Sequence, residues 1–117
     1  MQSVFTTFPS SRFVDRQAVV DVLRTLAQRI KADEPRIAAV HLFGSFATGT
    51  AGPRSDADVV IEIPRQDADL FGELLAVAHR VFSEAPVPVD VFILSSDRIC
   101  AGSGIGGAVV REGLRLA

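Results

Sequence analysis

Cysteine is nearly absent from this sequence, since Cys100 is the only one among 117 residues. An internal disulfide and a cysteine-rich metal cluster are therefore excluded, which favours the reducing cytoplasm as the location. The first 13 residues contain no long apolar core and no cleavage signal, so they do not resemble a secretory leader. No apolar run approaches the roughly 20 residues that a membrane span needs. We therefore expect a cytoplasmic protein without a membrane-bound part.

Basic residues are also scarce relative to acidic ones. The chain has 12 lysines and arginines against 14 aspartates and glutamates, a formal net charge of -2, and Lys31 is its only lysine. A molecule with this balance does not attract a polyanion as a whole, so we expect no direct nucleic-acid binding. Hydrophobic residues nevertheless make up 48% of the chain, which is enough for a core, and the length fits one domain.

Apolar periodicity divides the chain into helices and strands. A stripe at helical spacing predicts a helix over residues 16–32, capped by Asp15 and ended by Pro35. A second helix is predicted over 67–84, with Phe71 among its core-facing residues. Strands are predicted at 38–43, 57–63 and 89–94, followed by an irregular last helix capped by Ser96 or Asp97 and a short edge strand over 113–116.

The alternation of these elements predicts an α/β or α+β fold with a small sheet. Residues 15–117 form a single predicted domain. Residues 1–14 are expected to be a lead-in segment that is disordered or loosely docked.

Three aspartates stand out against this pattern. Asp56 and Asp58 lie two apart at the start of strand 57–63, so both carboxylates lie on one face and repel each other. Buried charge without a partner is costly, so a divalent cation is the expected compensation. Asp90 has the same character inside the apolar strand 89–94. If the two strands are neighbours in the right register, the three carboxylates converge, and an all-oxygen ligand set favours Mg²⁺ over zinc.

A phosphate-binding element is predicted just before the aspartate pair. Strand 38–43 runs into Gly44 and Ser45 and then into a predicted helix, whose first N–H groups can bind phosphate. Glycine lets the backbone approach a ligand closely, and the Ser45 hydroxyl can donate a further hydrogen bond. We therefore assign Gly44 and Ser45 to nucleotide binding, together with Ser55 beside the aspartate pair.

These residues together resemble the polymerase-β-like nucleotidyltransferase superfamily, and in particular its minimal nucleotidyltransferase (MNT) group. The pattern is Gly44-Ser45, ten intervening residues and Asp56-Ala57-Asp58, with Asp90 as the third carboxylate on a later strand. The local sequence Arg54-Ser55-Asp56-Ala57-Asp58-Val59-Val60 is also similar to that group. The resemblance covers about residues 16–117.

The resemblance implies a mixed sheet flanked by helices and a phosphoryl transfer assisted by two Mg²⁺ ions. Asp56 and Asp58 would bind both ions, and Asp90 would bind the catalytic one and draw the proton from the attacking hydroxyl. Gly44 and Ser45 would hold the triphosphate of ATP. MNT proteins often pair with a helical HEPN protein in a toxin–antitoxin unit, where the transferase attaches AMP to a tyrosine of the toxin. An antitoxin of this kind is the implied function.

Plainer roles for the same residues stay open. Asp56 and Asp58 can be solvated residues of a turn, and Asp90 can pair with an arginine. Gly44 can serve a tight turn only, and Ser45 can be no more than a helix cap.

Other polar residues are expected to be structural. Glu62 is expected to be exposed on its strand, and His41, His79 and Cys100 have no partner at metal-ligand or paired-thiol spacing. The segment 102–107 satisfies the pattern GxGxxG. A dinucleotide site needs that pattern at the start of a βαβ unit, and only ten residues follow it here, so this interpretation is rejected.

Two further functions remain as alternatives to the toxin-modifying enzyme. One is a transferase that modifies a small molecule such as an aminoglycoside. The short chain weakens it, because a small acceptor needs a built pocket. The other is an antitoxin that neutralises its partner by contact alone, which has no need for three clustered carboxylates.

Overall fold

A computed structural model describes residues 5–8, 11–52 and 55–117. The elements in chain order are β1 (Phe5–Phe8), β2 (Ser11–Val14), α1 (Arg16–Asp33), β3 (Ala39–Phe43), α2 (Ser45–Thr48), β4 (Ala57–Ile63), α3 (Ala68–Phe82), β5 (Val89–Ser95), α4 (Ser96–Cys100), α5 (Gly104–Glu112) and β6 (Leu114–Arg115). The first two strands pair with each other in antiparallel register. The lead-in prediction falls partly on residues 1–4 and 9–10, outside the described residues, and the domain boundary at residue 15 stays a prediction.

The first helix confirms its sequence signals closely. The Asp15 carboxylate accepts a hydrogen bond from the Ala18 N–H at 3.1 Å, which satisfies one of the free donors of the first turn. The helix ends at Glu34, directly before Pro35. Its apolar stripe is buried in the core and consists of Val19, Val20, Leu23, Leu26, Ala27 and Ile30.

Four of the strands form one mixed sheet in the order β5-β4-β3-β6. β3 runs antiparallel to both β4 and β6, whereas β4 and β5 are parallel. A parallel pair needs a crossover connection, and α3 supplies it. Its cap is Asp67, whose carboxylate accepts from the N–H groups of Asp69 and Leu70. The α+β fold with a small sheet is confirmed.

The sheet separates two apolar cores. Because side chains alternate along each strand, one face of β4 carries Ala57, Val59, Ile61 and Ile63, all buried in the main core with α1 and α3. The opposite face carries a smaller cluster under α4 and α5. That cluster consists of the buried residues Phe43, Val60, Ile99 and Val109, packed with Phe92, Leu94, Ile105 and Ala108.

Two details of the predicted helices are wrong. Phe71 is 38% exposed instead of facing the core, and Leu70 is buried, whereas Leu74, Ala78, Val81 and Phe82 are buried as predicted. The single irregular last helix is two helices, α4 and α5, and the cap of α4 is Ser95, whose Oγ accepts from the Arg98 N–H. The edge strand is β6, shorter than predicted.

The glycine-rich segment 102–107 has a packing role. A Cβ on Gly106 would lie 2.5 Å from the Arg98 carbonyl oxygen, and one on Gly107 would lie 2.5 Å from the Gly102 carbonyl oxygen. Only glycine therefore lets α5 approach α4 this closely. This contact gives the GxGxxG pattern a structural reason without a dinucleotide.

Membrane insertion finds no support in these helices. Within residues 5–8, 11–52 and 55–117, none combines the length and apolarity that crossing a bilayer requires.

Candidate active site

Asp58 and Asp90 lie side by side at one end of the sheet. They are direct partners in the parallel register of β4 and β5, whose neighbouring strands lie about 4.8 Å apart. Asp56 lies two residues before Asp58, just outside the strand, and is exposed. The neighbouring strands and the matched register were the conditions for bringing these carboxylates together, and the structure meets both.

The charges of this group act on Asp58, the most buried of the three. Burial raises the pKa of the Asp58 carboxyl above its ordinary value, and the negative charges of Asp90 and then Asp56 raise it further. Among the side chains that the structure describes, no ion pair involves any of the three. The plainer interpretation of Asp90 as the partner of an arginine therefore finds no support within the described residues.

The side chains do not form a ready-made metal cage. Within the described part of the chain, no group of three histidine, cysteine, aspartate or glutamate side chains is arranged to hold a metal ion. Asp56 and Asp90 are exposed, and like-charge repulsion opposes a tight cluster unless a cation compensates it. The backbone thus places the three aspartates at the same end of the sheet. Their carboxylate oxygens are ligands that suit Mg²⁺, but the side chains have to move closer together to bind it.

Gly44 links the predicted phosphate-binding element to this end of the sheet. Its backbone has φ 75° and ψ -154°, a conformation open almost only to glycine. A Cβ at this position would lie 2.5 Å from the Asp58 Oδ2, closer than real Cβ contacts come. Gly44 is therefore more than a turn residue, because its missing side chain leaves the space that the Asp58 carboxylate occupies.

Ser45 begins the helix predicted after Gly44, and this helix is short. α2 spans one turn, Ser45–Thr48, and Gly49 ends it in the left-handed conformation. The first N–H groups of any helix lack an acceptor within it, so the Ser45 N–H and hydroxyl are the candidate phosphate donors. Phe46 is fully buried and fixes this turn to the core.

Ser55 has a structural contact in the loop before β4. Its Oγ accepts a hydrogen bond from the Gly52 N–H at 2.8 Å, and its own N–H donates to the Gly52 carbonyl at 3.1 Å. A hydroxyl that accepts one hydrogen bond can still donate another, so nucleotide contact stays a prediction for Ser55. Arg54 lies outside the described residues.

The polar contacts of two residues, Arg16 and Glu62, were not predicted by the sequence patterns. Arg16, the first residue of α1, donates hydrogen bonds to α2 across 30 positions of sequence. Glu62 is half-buried, so the expectation of an exposed residue is wrong. It is hydrogen bonded to His41 at 2.8 Å and to Ser96 at 2.5 Å. No local signal reveals such distant partners, although an arginine at a helix start, where positive charge is unfavourable, is an unusual choice.

Two surface cavities lie away from the aspartates. One, of about 350 Å³, lies between α4 and α5 and is lined by Leu94, Arg98 and Ile105 among others. The second, of about 450 Å³, lies at the end of α3 and is lined by His79, Phe82 and the segment 85–89. Neither is lined by Asp56, Asp58 or Asp90, so neither is a ready pocket for a small acceptor at the carboxylates.

Comparison with known sequences gives one family. The family model described as a nucleotidyltransferase domain matches residues 23–101. That range contains Gly44, Ser45 and all three aspartates. No curated protein sequence matches the chain significantly.

Solved structures share the fold. A Sulfolobus solfataricus protein assigned as a nucleotidyltransferase superposes with a TM-score of 0.63 at 15% identity, over 86% of this chain and 80% of that one. A chain of a toxin–antitoxin complex with AMP-PNP gives 0.57 at 25% identity, over 80% and 72%. A chain of the complex between the tri-AMPylated Shewanella oneidensis HEPN toxin and its MNT antitoxin gives 0.51 at 21% identity, over 87% and 71%. The predicted polymerase-β-like fold is confirmed.

Proposed function

Because this chain belongs to the nucleotidyltransferase domain family, we propose that it transfers AMP from ATP to a tyrosine hydroxyl of a HEPN-type toxin and thereby acts as an antitoxin. The resemblance to the MNT group that the motifs carry is confirmed by the family model and by the solved MNT complexes. The observation that carries the proposal is the register pair Asp58 and Asp90, with Gly44 built against the Asp58 carboxylate.

The residues at this end of the sheet have different roles in the reaction. Asp56, Asp58 and Asp90 would hold Mg²⁺, which when bound neutralises phosphate charge. Gly44 and Ser45 orient the triphosphate. The acceptor oxygen forms a bond to the α-phosphorus, the bond from that phosphorus to the pyrophosphate oxygen breaks, and Asp90 accepts the hydroxyl proton. Alignment and charge neutralisation supply most of the rate.

The acceptor has to come from another molecule. The chain contains no tyrosine, so it cannot modify itself at that residue type. In the solved complexes of similar fold, AMP-PNP is present with one toxin–antitoxin pair and the HEPN toxin is AMPylated in another. A protein partner that brings its own tyrosine to Asp90 fits this site, since neither of the two cavities described above is lined by the aspartates.

Label transfer tests the proposal. The protein is incubated with Mg²⁺, α-labelled ATP and the HEPN-type partner encoded beside it, and we expect label on a partner tyrosine. The Asp58→Asn variant should lose about a hundredfold or more in rate, because removing one group that stabilises the transition state has effects of that size. The control Asp69→Asn changes an exposed aspartate of α3 and should keep the rate.

Folding has to be checked in the same experiment. The pKa of Asp58 is raised in the folded protein, so the stability that this group contributes is fully present below its ordinary pKa of 3.8 and is lost as pH rises through the folded pKa. At neutral pH the ionised Asp58 therefore costs stability, and Asp58→Asn should melt no lower than the parent protein. Full labelling by Asp58→Asn contradicts the enzyme proposal. If the protein protects cells from the toxin and the toxin carries no label, neutralisation by contact is favoured. Label on a small molecule favours the transferase that modifies a small molecule.

A further inference from the structure

Arg16, at the start of α1, binds the one-turn helix α2 through two side-chain hydrogen bonds. Its Nε donates to the Phe46 carbonyl oxygen at 2.7 Å, and its Nη2 donates to the Ala47 carbonyl oxygen at 3.0 Å. Arg16 is half-buried, so these hydrogen bonds are partly shielded from water. The planar guanidinium fits two neighbouring acceptors at once, which the point charge of a lysine does not.

The four carbonyls from Gly44 to Ala47 then each have a donor. The Gly44 carbonyl accepts from the N–H groups of Ala47 and Thr48, and the Ser45 carbonyl accepts from those of Gly49 and Thr50. The next two carbonyls, of Phe46 and Ala47, are those that Arg16 binds. The last carbonyls of a helix have no partner within it, and a helix of four residues is not stable by itself. Arg16 thus completes a turn that the local chain cannot complete.

The position of Arg16 is unfavourable for its own helix. It is the first residue of α1, and the first turn of α1 contains no acidic residue. Positive charge at a helix start opposes the macrodipole by some tenths of a kcal/mol. Because Arg16 destabilises the start of α1 and binds α2, its presence at this position is better explained by its role at α2.

The turn that Arg16 holds is the one that begins with Ser45. Gly44 fixes the entrance of the turn against Asp58, and buried Phe46 fixes its centre to the core. The two carbonyls that Arg16 binds fix its end. Loss of the Arg16 contacts leaves the end of the turn without partners, which frees the Ser45 N–H and hydroxyl to change direction.

We propose that Arg16 is a positioning residue that orients Ser45 for the triphosphate of the nucleotide. This inference rests on the proposed function, since it assigns the nucleotide to the Gly44-Ser45 turn. Arg16 itself does not contact the nucleotide. Its role is to hold the donors of α2 in the direction that phosphate oxygens need.

Nucleotide affinity of the full chain tests this role. AMP-PNP and AMP, each with Mg²⁺, are titrated calorimetrically into the parent protein, Arg16→Ala and Arg16→Lys. We expect Arg16→Ala to weaken AMP-PNP binding about tenfold, the effect of losing hydrogen bonds of this kind, and AMP binding less, because AMP lacks the β- and γ-phosphates. Arg16→Lys should fall between the two, since an ammonium replaces the charge without the paired geometry.

Arg29→Ala is the matched control. Arg29 lies on the same helix and pairs on the surface with Glu84, a residue outside α2. It should leave the affinity ratio of AMP-PNP to AMP unchanged, whatever it does to stability. Equal ratios in Arg16→Ala, Arg16→Lys and the parent would overturn the positioning role. No AMP-PNP binding by the parent protein would overturn the proposed function and this inference together.

Discussion

At the scale of single residues, Gly44 is the position where backbone and site depend on each other. Its dihedral angles lie in a region that costs other residues about 1–3 kcal/mol. The space for a side chain is occupied by the Asp58 carboxylate. Strain and collision therefore add at this position.

We expect Gly44→Ala to lower the free energy of unfolding by about 1–3 kcal/mol and to reduce label transfer, because the new Cβ displaces Asp58. Urea unfolding followed by circular dichroism measures the first effect. Gly72→Ala is the control. Gly72 lies on the exposed face of α3, and a Cβ there meets nothing within 4 Å. It should raise stability by about 0.5–1 kcal/mol. A Gly44→Ala protein as stable and active as the parent would contradict the assigned geometry.

At the scale of elements, Glu62 ties two strands and a helix together. It lies on β4, His41 lies on the neighbouring strand β3 and is paired with Val60 in the register, and Ser96 begins α4. Burial raises the pKa of Glu62, but the hydrogen bonds from Ser96 and His41 outweigh it, so the pKa lies below the ordinary value of 4.5. A carboxylate with a lowered folded pKa adds stability above its ordinary pKa, and that stability is lost as pH falls through the folded pKa.

We expect Glu62→Gln to lose about 1–2 kcal/mol of unfolding free energy at about pH 7, since it loses hydrogen bonds to a charged acceptor. The difference from the parent should shrink as pH falls below 4.5. Urea denaturation at about pH 7 and about pH 3 measures it. Glu73→Gln, at a 67% exposed side chain, should change stability by less than about 0.5 kcal/mol. A Glu62→Gln difference that is the same at both values would show that the charge is not its source.

The elements also show how far sequence patterns reach. Period-two alternation and flanking prolines are local, and they predicted β4 with its bounds. Helical periodicity also predicted most of the buried face of α3, but whether Leu70 or the adjacent Phe71 is buried in its first turn depends on tertiary packing. The pairing of Asp58 with Asp90 needed the parallel register, which no local pattern contains. The contact of Arg16 with α2 spans 30 positions, so only the folded chain reveals it.

At the scale of the whole molecule, the described core begins at the first helix. The first residue known to be buried in the main core is Val19, and the Asp15 cap precedes it by one turn. The two-stranded segment before Asp15 pairs within itself. The predicted domain 15–117 can therefore be tested as a separate unit.

A chain that starts at residue 15 should melt within about 3 °C of the full protein, because it keeps the described core from Val19 onward and the Asp15 cap. A chain that starts at residue 18 also loses the Asp15 cap and the Arg16 contacts. A cap contributes about 1 kcal/mol, so this chain should melt roughly 4–8 °C lower. Thermal circular dichroism compares the three. If the two shortened chains melt together, well below the full protein, the boundary is wrong and the first two strands belong to the domain.

The sheet sets the main core on one face and the aspartates on the other. In a mutational scan of β4, neighbouring codons would thus be under different kinds of selection. Changes at Val59 or Ile61 reduce how much protein a cell accumulates, because these side chains are fully buried. Changes at Asp58 should leave the amount intact and reduce the proposed label transfer. Abundance would therefore be the limiting trait from Val59 to Ile61, where both faces of the strand are buried, and label transfer would be the limiting trait at Asp58.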